Sequence, residues 1–226
     1  MSAAEITPRG GPAAAGPPAA ALPAEEPCGL LAGRDFVEVR FGGSGGQGVI
    51  LMGVILATAA TLDHRRVVQT ESYGPEARGG YSRSDVIISN DAIDYPELER
   101  ADLLVALSQQ AATQYIGSLR ADGILIHDSD RVMEPPAFKG TTFAIPFARL
   151  ALEETGRQQT TNILTLGAVV GITGVVSVES LQRAVMGRVP PGTEEVNGRA
   201  LTRGLALDPT DWQNGGAGTF CSPVDR

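Results

Sequence analysis

From residue 36 onward the apolar and polar positions fall into two alternating rhythms. Phe36-Val37-Glu38-Val39-Arg40-Phe41 alternates with a period of two, as a strand does, and a glycine run then opens a long apolar segment over residues 46–62 that reads as a helix. Residues 67–70 read as a second strand, 84–89 as a third, 103–107 as a fourth and 124–127 as a fifth, with a helix over 109–119 between the last two. A short strand at 141–145 leads through Pro146 into a helix over 147–154, where proline suits the first turn. Helices follow over 162–173, 178–186 and 194–207, the second behind Ser177, an N-cap candidate with Glu179 and Ser180 in its first turn.

Strands alternating with helices predict an α/β fold, a mainly parallel sheet with helices on both faces. Residues 1–30 contain nine Ala, six Pro and four Gly and no aromatic residue, too little apolar bulk to offset the entropy of ordering. The expected organisation is therefore a disordered tail over 1–34, one α/β domain over 35–207, and a Gly/Ser/Asn-rich tail over 208–226. A secretory leader is not expected, because Pro8 and Pro12 interrupt the start and no cationic, apolar run precedes them. The longest apolar stretch, 49–62, is shorter than the roughly 20 residues that span a bilayer, so a cytoplasmic location is expected.

Charge and composition narrow the chemistry. A net charge of -8 offers no basic footprint for nucleic acid or an anionic membrane, and neither partner is expected. The cationic residues number 18, of which Lys139 is the single lysine, so a Schiff-base lysine or a Tyr-x-x-x-Lys pair has one candidate, and Pro135 precedes it by four. Cys28 and Cys221 lie near opposite ends, and the histidines are His64 and His127. Such a chain by itself has no cysteine set for an iron-sulfur cluster or zinc site, and no core thiol nucleophile.

Gly43-Ser44-Gly45-Gly46-Gln47-Gly48 matches G-x-G-x-x-G between a predicted strand and helix. Small residues there let backbone amides approach a pyrophosphate at a helix N-terminus, although the same glycines would also serve a tight turn that packs helix on sheet. Glu71 falls near the place where a dinucleotide-binding fold keeps its ribose-binding acid, which leaves an NAD(P)-dependent dehydrogenase open. A second loop, Glu71-Ser72-Tyr73-Gly74-Pro75-Glu76-Ala77-Arg78-Gly79-Gly80-Tyr81-Ser82, follows a strand and should lie at the sheet's carboxyl edge beside the first.

These two loops, with Val105-Ala106-Leu107-Ser108-Gln109 and Asn162 opening an apolar helix, resemble the gamma subunit of 2-oxoacid:ferredoxin (acceptor) oxidoreductases over about residues 36–207. The Tyr-Gly-Pro-Glu-x-Arg-Gly-Gly loop is the specific element, and its form is closer to the 2-oxoglutarate and branched-chain types than to the indolepyruvate type. The resemblance implies a Rossmann-like domain in a hetero-oligomeric enzyme that oxidatively decarboxylates a 2-oxoacid and transfers the acyl group to coenzyme A. Thiamine diphosphate, Mg and [4Fe-4S] clusters are then expected on partner subunits, alpha and beta with a ferredoxin-like delta in some complexes, and ferredoxin as electron acceptor of the complex. Coenzyme A is expected at or near this subunit, with Gly43, Ser44, Gly45, Gly46, Gln47, Gly48, Ser72, Tyr73, Arg78, Gly79, Gly80, Ser108 and Gln109 as the candidate binding residues and no catalytic residue of its own. A non-catalytic assembly subunit is the remaining alternative.

Other polar groups read more plainly. His127-Asp128-Ser129-Asp130 could be drawn as an acid–base cluster, but strand-end polar turns are common. Ser108 and Gln109 suit a helix cap or a ligand contact equally. Glu153-Glu154 and Glu194-Glu195 read as solvated charge, and the small residues at 166–172 as tight helix packing, inside the domain or against another subunit.

Overall fold

The computed structural model describes residues 29–73 and 80–214. In chain order these form β1 (Phe36–Ser44), α1 (Val49–Leu62), β2 (Arg66–Tyr73), β3 (Tyr81–Ser89), β4 (Ala101–Ala106), α2 (Gln109–Tyr115), β5 (Leu119–Asp128), β6 (Thr141–Ile145), α3 (Phe147–Thr155), α4 (Thr161–Thr173), α5 (Val178–Met186) and α6 (Glu194–Leu205). The sheet order is β2-β3-β1-β4-β5-β6. β1, β4, β5 and β6 pair in parallel, and β2 and β3 form an antiparallel hairpin at one edge, with β3 set against β1.

The pleat sorts the two cores. Leu103 and Val105 of β4 face a large cluster shared with α1, α3, α4, α5 and α6, whereas Leu104 and Ala106 face a smaller one under α2. β4 is therefore buried on both sides, which is why its sequence runs apolar without alternation. β1 alternates as expected, but its polar positions are not solvated. Glu38 and Arg40 are buried, and Arg40 makes a two-pronged bond to Asp85 of β3 at 2.7 and 2.8 Å, donates to Ser118, and lies over the Tyr115 ring.

The small residues of α4 are explained within the domain. A Cβ at Gly167 would stand 2.5 Å from the Leu201 carbonyl of α6, and one at Gly204 would overlap the Leu164 carbonyl, so the two helices touch backbone to backbone. The folded chain also extends past the compositional boundaries at 34 and 208. Leu30 and Leu31 donate backbone bonds to Ile172 and Thr173 at the end of α4, and Leu31 is 3% exposed. Trp212 and Asn214 exchange backbone bonds with Ala144 and Thr142, lengthening the sheet edge at β6. Among the described residues no helix is long and apolar enough to cross a membrane.

Candidate functional site

The glycine motif closes the turn from β1 to α1. Its first two residues, Gly43 and Ser44, still pair with Ser82 and Tyr81 of β3, so the free turn is Gly45 to Gly48 and the helix begins at Val49 rather than at Gly46. Gly46 has φ +91 and Gly48 φ +73, in the left-handed region that side chains disfavour. A Cβ at Gly46 would meet nothing within 4 Å, whereas one at Gly48 would lie 2.5 Å from Asn162 Nδ2. Gln47 turns inward and acts as a latch: its Oε1 accepts the Ser44 amide at 2.5 Å and its Nε2 donates to the Leu107 carbonyl at 2.8 Å. Gly48 caps α1 without a side-chain bond, which leaves that helix's first amides free of an internal cap.

The turn borders a cavity of about 370 Å³. Across from it are Asp128 at the carboxyl end of β5, Arg131 in the following turn, and Gln158, Gln159, Thr161 and Asn162 at the start of α4, whose N-terminus also lacks a side-chain cap. Two helix starts and one guanidinium therefore surround a concave space, an arrangement suited to an anion. A second, mainly apolar cavity of about 220 Å³ shares Gln159 and Asn162 with the first and is bordered by Leu51, Ile163, Val189 and Val196.

Asp128 is fully buried. Its Oδ1 accepts the Asp130 amide at 3.0 Å, while Oδ2 has no hydrogen bond; Arg131 Nε stands 3.7 Å from it, and the Ala148 backbone amide also acts on the carboxylate. Burial, the largest influence, raises its pKa, with the Asp130 charge adding to the shift, and the Asp130 amide, Arg131 and the Ala148 amide oppose it. His127 points to the opposite face of β5. It too is buried, its Nδ1 has no partner, and burial lowers its pKa. The pleat thus separates the two residues, and they form no joint acid–base cluster.

The remaining candidates divide. Gly45, Gly46, Gln47 and Gly48 line the cavity. Ser72 and Tyr73 end β2, paired with Arg83 and Ser82, and do not line it; Tyr73 is 64% exposed. Gly80 is buried and its carbonyl accepts the Gly45 amide at 2.8 Å, which ties the start of β3 to the glycine turn, while Arg78 and Gly79 lie outside the described residues. Ser108 caps α2 by accepting the Ala111 amide, and Gln109 clamps the Glu134 backbone at 2.7 and 3.0 Å. Both are engaged in holding structure and neither borders the cavity. Asp128, Arg131, Gln158, Gln159 and Thr161 went unnamed as binding residues, because their approach to the glycine turn is made by β5 and α4, far along the chain.

Glu71 fails the dinucleotide pattern for a topological reason. It is exposed on β2, paired with Ser84, and the antiparallel β3 lies between it and β1. A ribose-binding acid belongs at the end of a parallel neighbour of β1, and here that neighbour, β4, ends in Ala106-Leu107-Ser108. The dehydrogenase alternative loses its acid.

A family model described as pyruvate ferredoxin/flavodoxin oxidoreductase matches residues 38–207. The chain belongs to this family. It is 46% identical over 173 residues to the 2-oxoglutarate synthase subunit KorC of Methanocaldococcus jannaschii, covering 75% of this chain and 92% of that one. The crystal structure of a keto/oxoacid ferredoxin oxidoreductase gamma subunit from Geobacter sulfurreducens superposes with a TM-score of 0.73 at 41% identity, covering 80% of this chain and all of that one. A 2-oxoglutarate:ferredoxin oxidoreductase from Magnetococcus marinus, solved with 2-oxoglutarate, coenzyme A and succinyl-CoA bound, shares the fold at a TM-score of 0.70 and 21% identity; this chain covers 32% of it. The chain is thus a gamma-type oxidoreductase subunit, part of a multi-subunit enzyme.

Proposed function

We propose that this chain is the coenzyme A-binding gamma subunit of a cytoplasmic 2-oxoglutarate:ferredoxin oxidoreductase, with the cavity at the glycine turn as the binding site. The observation that carries the reading is Gly46, held at φ +91 with open space where a side chain would stand, between two helix starts that lack side-chain caps. A backbone bared in this way suits close approach by a diphosphate. The 46% identity to a 2-oxoglutarate synthase subunit supports the choice of substrate.

On this reading the alpha and beta subunits, with a ferredoxin-like delta subunit where present, carry thiamine diphosphate, Mg and [4Fe-4S] clusters and supply the decarboxylation and electron-transfer chemistry. Among the described residues no group of three or more His, Cys, Asp or Glu is placed to hold a metal. The task of this chain is to bind and orient. The Gly45 amide is held by the Gly80 carbonyl and the Gln47 amide by the Ser44 carbonyl, so Gly46 and Gly48 offer the amides to the diphosphate, Gln47 fixes their position against β4, and the apolar cavity beyond Gln159 and Asn162 gives a less polar part of the same ligand somewhere to lie. Arg78, in the adjoining loop, is a further proposed contact.

The test is a titration of each substrate in assembled wild-type and Gly46→Ala complexes, with assembly verified by gel filtration. The expected result is an apparent coenzyme A requirement raised about tenfold or more, the weight of one lost bond to a charged group. The 2-oxoacid requirement should stay nearly constant, since decarboxylation precedes acyl transfer and occurs on other subunits. An intact complex with unaltered coenzyme A dependence would turn the assignment to an assembly-only subunit.

A further inference from the structure

We propose that Arg131 is the charged clamp of this cavity, gripping a phosphate of the ligand that lies against the glycine turn, and that Asp128 is the positioning residue that keeps its guanidinium there. The inference rests on the anion-binding reading of the cavity and adds to it a side chain and a ligand group.

Among the described residues that line the cavity, Arg131 is the one cation and Asp128 the one anion. The arginine is attached at both ends of its reach. Its backbone amide donates to the Asp128 carbonyl at 3.2 Å, and its Nε stands 3.7 Å from Asp128 Oδ2, close enough for charge attraction and too far for a hydrogen bond. Asp128 cannot drift, because it is fully buried and its Oδ1 is fixed by the Asp130 amide. The guanidinium is thereby restrained without being consumed: among the described residues its nitrogens make no hydrogen bond, and its side chain remains 40% exposed at the cavity. The arginines at the other end of the sheet are equally exposed, Arg34 at 46% and Arg120 at 42%, yet they are bonded to carboxylates at 3.0 to 3.2 Å. Arg131 is left with a fork of N–H donors facing the space bounded by the N-termini of α1 and α4. A planar fork of that kind matches the oxygens of a phosphate, and the two helix starts favour the same sign of charge.

The experiment uses the assembled oxidoreductase and measures binding rather than turnover. Equilibrium dialysis of coenzyme A, and its displacement by dephospho-coenzyme A, inorganic pyrophosphate and phosphate-free pantetheine, is compared in wild-type, Arg131→Ala and Arg131→Lys complexes. Arg131→Ala should weaken coenzyme A and pyrophosphate by about tenfold or more and leave pantetheine within twofold. Arg131→Lys, which keeps the charge and loses the fork, should fall between. The dephospho arm names the group: equal losses for coenzyme A and its dephospho form place Arg131 on the diphosphate, and a loss confined to coenzyme A places it on the ribose phosphate. Unchanged binding of every phosphate ligand in Arg131→Ala, or pantetheine weakened as much as the rest, overturns the clamp. Loss of pyrophosphate with coenzyme A untouched would keep the clamp and overturn the coenzyme A reading, so the two failures are distinct.

Discussion

The two ends of the sheet both bury carboxylates beside arginines, and they treat them in opposite ways. At the amino end every oxygen is bonded. Asp102 accepts the Glu38 amide at 2.9 Å and contacts Arg34 and Arg120 at 3.2 Å, and Glu38 accepts the Glu99 amide at 3.1 Å and Arg120 at 3.0 Å. At the carboxyl end Asp128 leaves one oxygen without a hydrogen bond, and its arginine stands off at 3.7 Å. Size does not mark the end proposed to bind ligand: the depression at the amino end, about 480 Å³, is larger than the 370 Å³ cavity at the glycine turn. What distinguishes them is unspent bonding capacity. A closed network fixes strands, whereas an open one keeps donors and acceptors for something that arrives later.

The comparison breaks if variants at the two ends behave alike. The largest effect is expected from Asp102→Ala, which strands the Glu38 amide, takes the carboxylate partner from Arg34 and leaves Arg120 with Glu38 and the Arg100 carbonyl. Allowing for the exposure of both arginines, it should cost about 2–3 kcal/mol in chemical denaturation while leaving coenzyme A affinity unchanged. A loss of affinity at equal stability would show that the two ends are coupled.

Asp128→Asn should act with the opposite sign. Burial holds the folded-state pKa of Asp128 above its ordinary 3.8, so ionising this carboxyl costs the folded protein more than the unfolded chain. The variant is therefore expected to melt higher than wild type at pH 7. The gap should close as the pH falls through the folded-state pKa and the wild-type carboxyl takes up its proton. A variant that melts lower at pH 7 would show that the contact to Arg131 outweighs desolvation, and the carboxyl end would then be as closed as the amino end.

The smallest effect belongs to His127. Burial lowers its folded-state pKa below 6.5, so it is neutral in both states above that value, and its contribution is lost as the pH falls from 6.5 toward the folded pKa. Replacing it with Phe should remove this part of the acid destabilisation, seen as a shallower fall of melting temperature between pH 7.5 and 5.5. An unchanged slope would mean that His127 accepts a proton in place, through a partner for Nδ1 that the fold supplies on protonation.

Much of the fold was legible because it is written locally. The strand at 141–145 and the helix over 178–186 coincide with β6 and α5, since period, proline placement and a serine cap are properties of a few adjacent residues. The glycine turn was legible for the same reason. Its boundary with α1 was not, because Gly46 and Gly48 take left-handed conformations that delay the helix to Val49. Of the second loop, Gly80 lies beside the first, as its bond to Gly45 shows, while Ser72 and Tyr73 stay in the β2 ladder and residues 74–79 lie outside the described residues. Asp128 looked like an ordinary strand-end turn, since nothing local distinguishes a solvated carboxylate from a buried one.

Sequence by itself determined which segments are strands and helices, and where a phosphate-friendly backbone turn lies, because both follow from side-chain period and glycine content. Only the tertiary structure decided that β3 enters antiparallel beside β1 and strips Glu71 of a nucleotide role, that Glu38 and Arg40 are buried rather than solvated, and that the start of α4 meets the glycine turn. Strand order and polar burial depend on partners 30 to more than 100 residues away, and local pattern carries no record of them. Gly48 and Asn162 lie 114 positions apart, and their contact exists only after the sheet has formed between them.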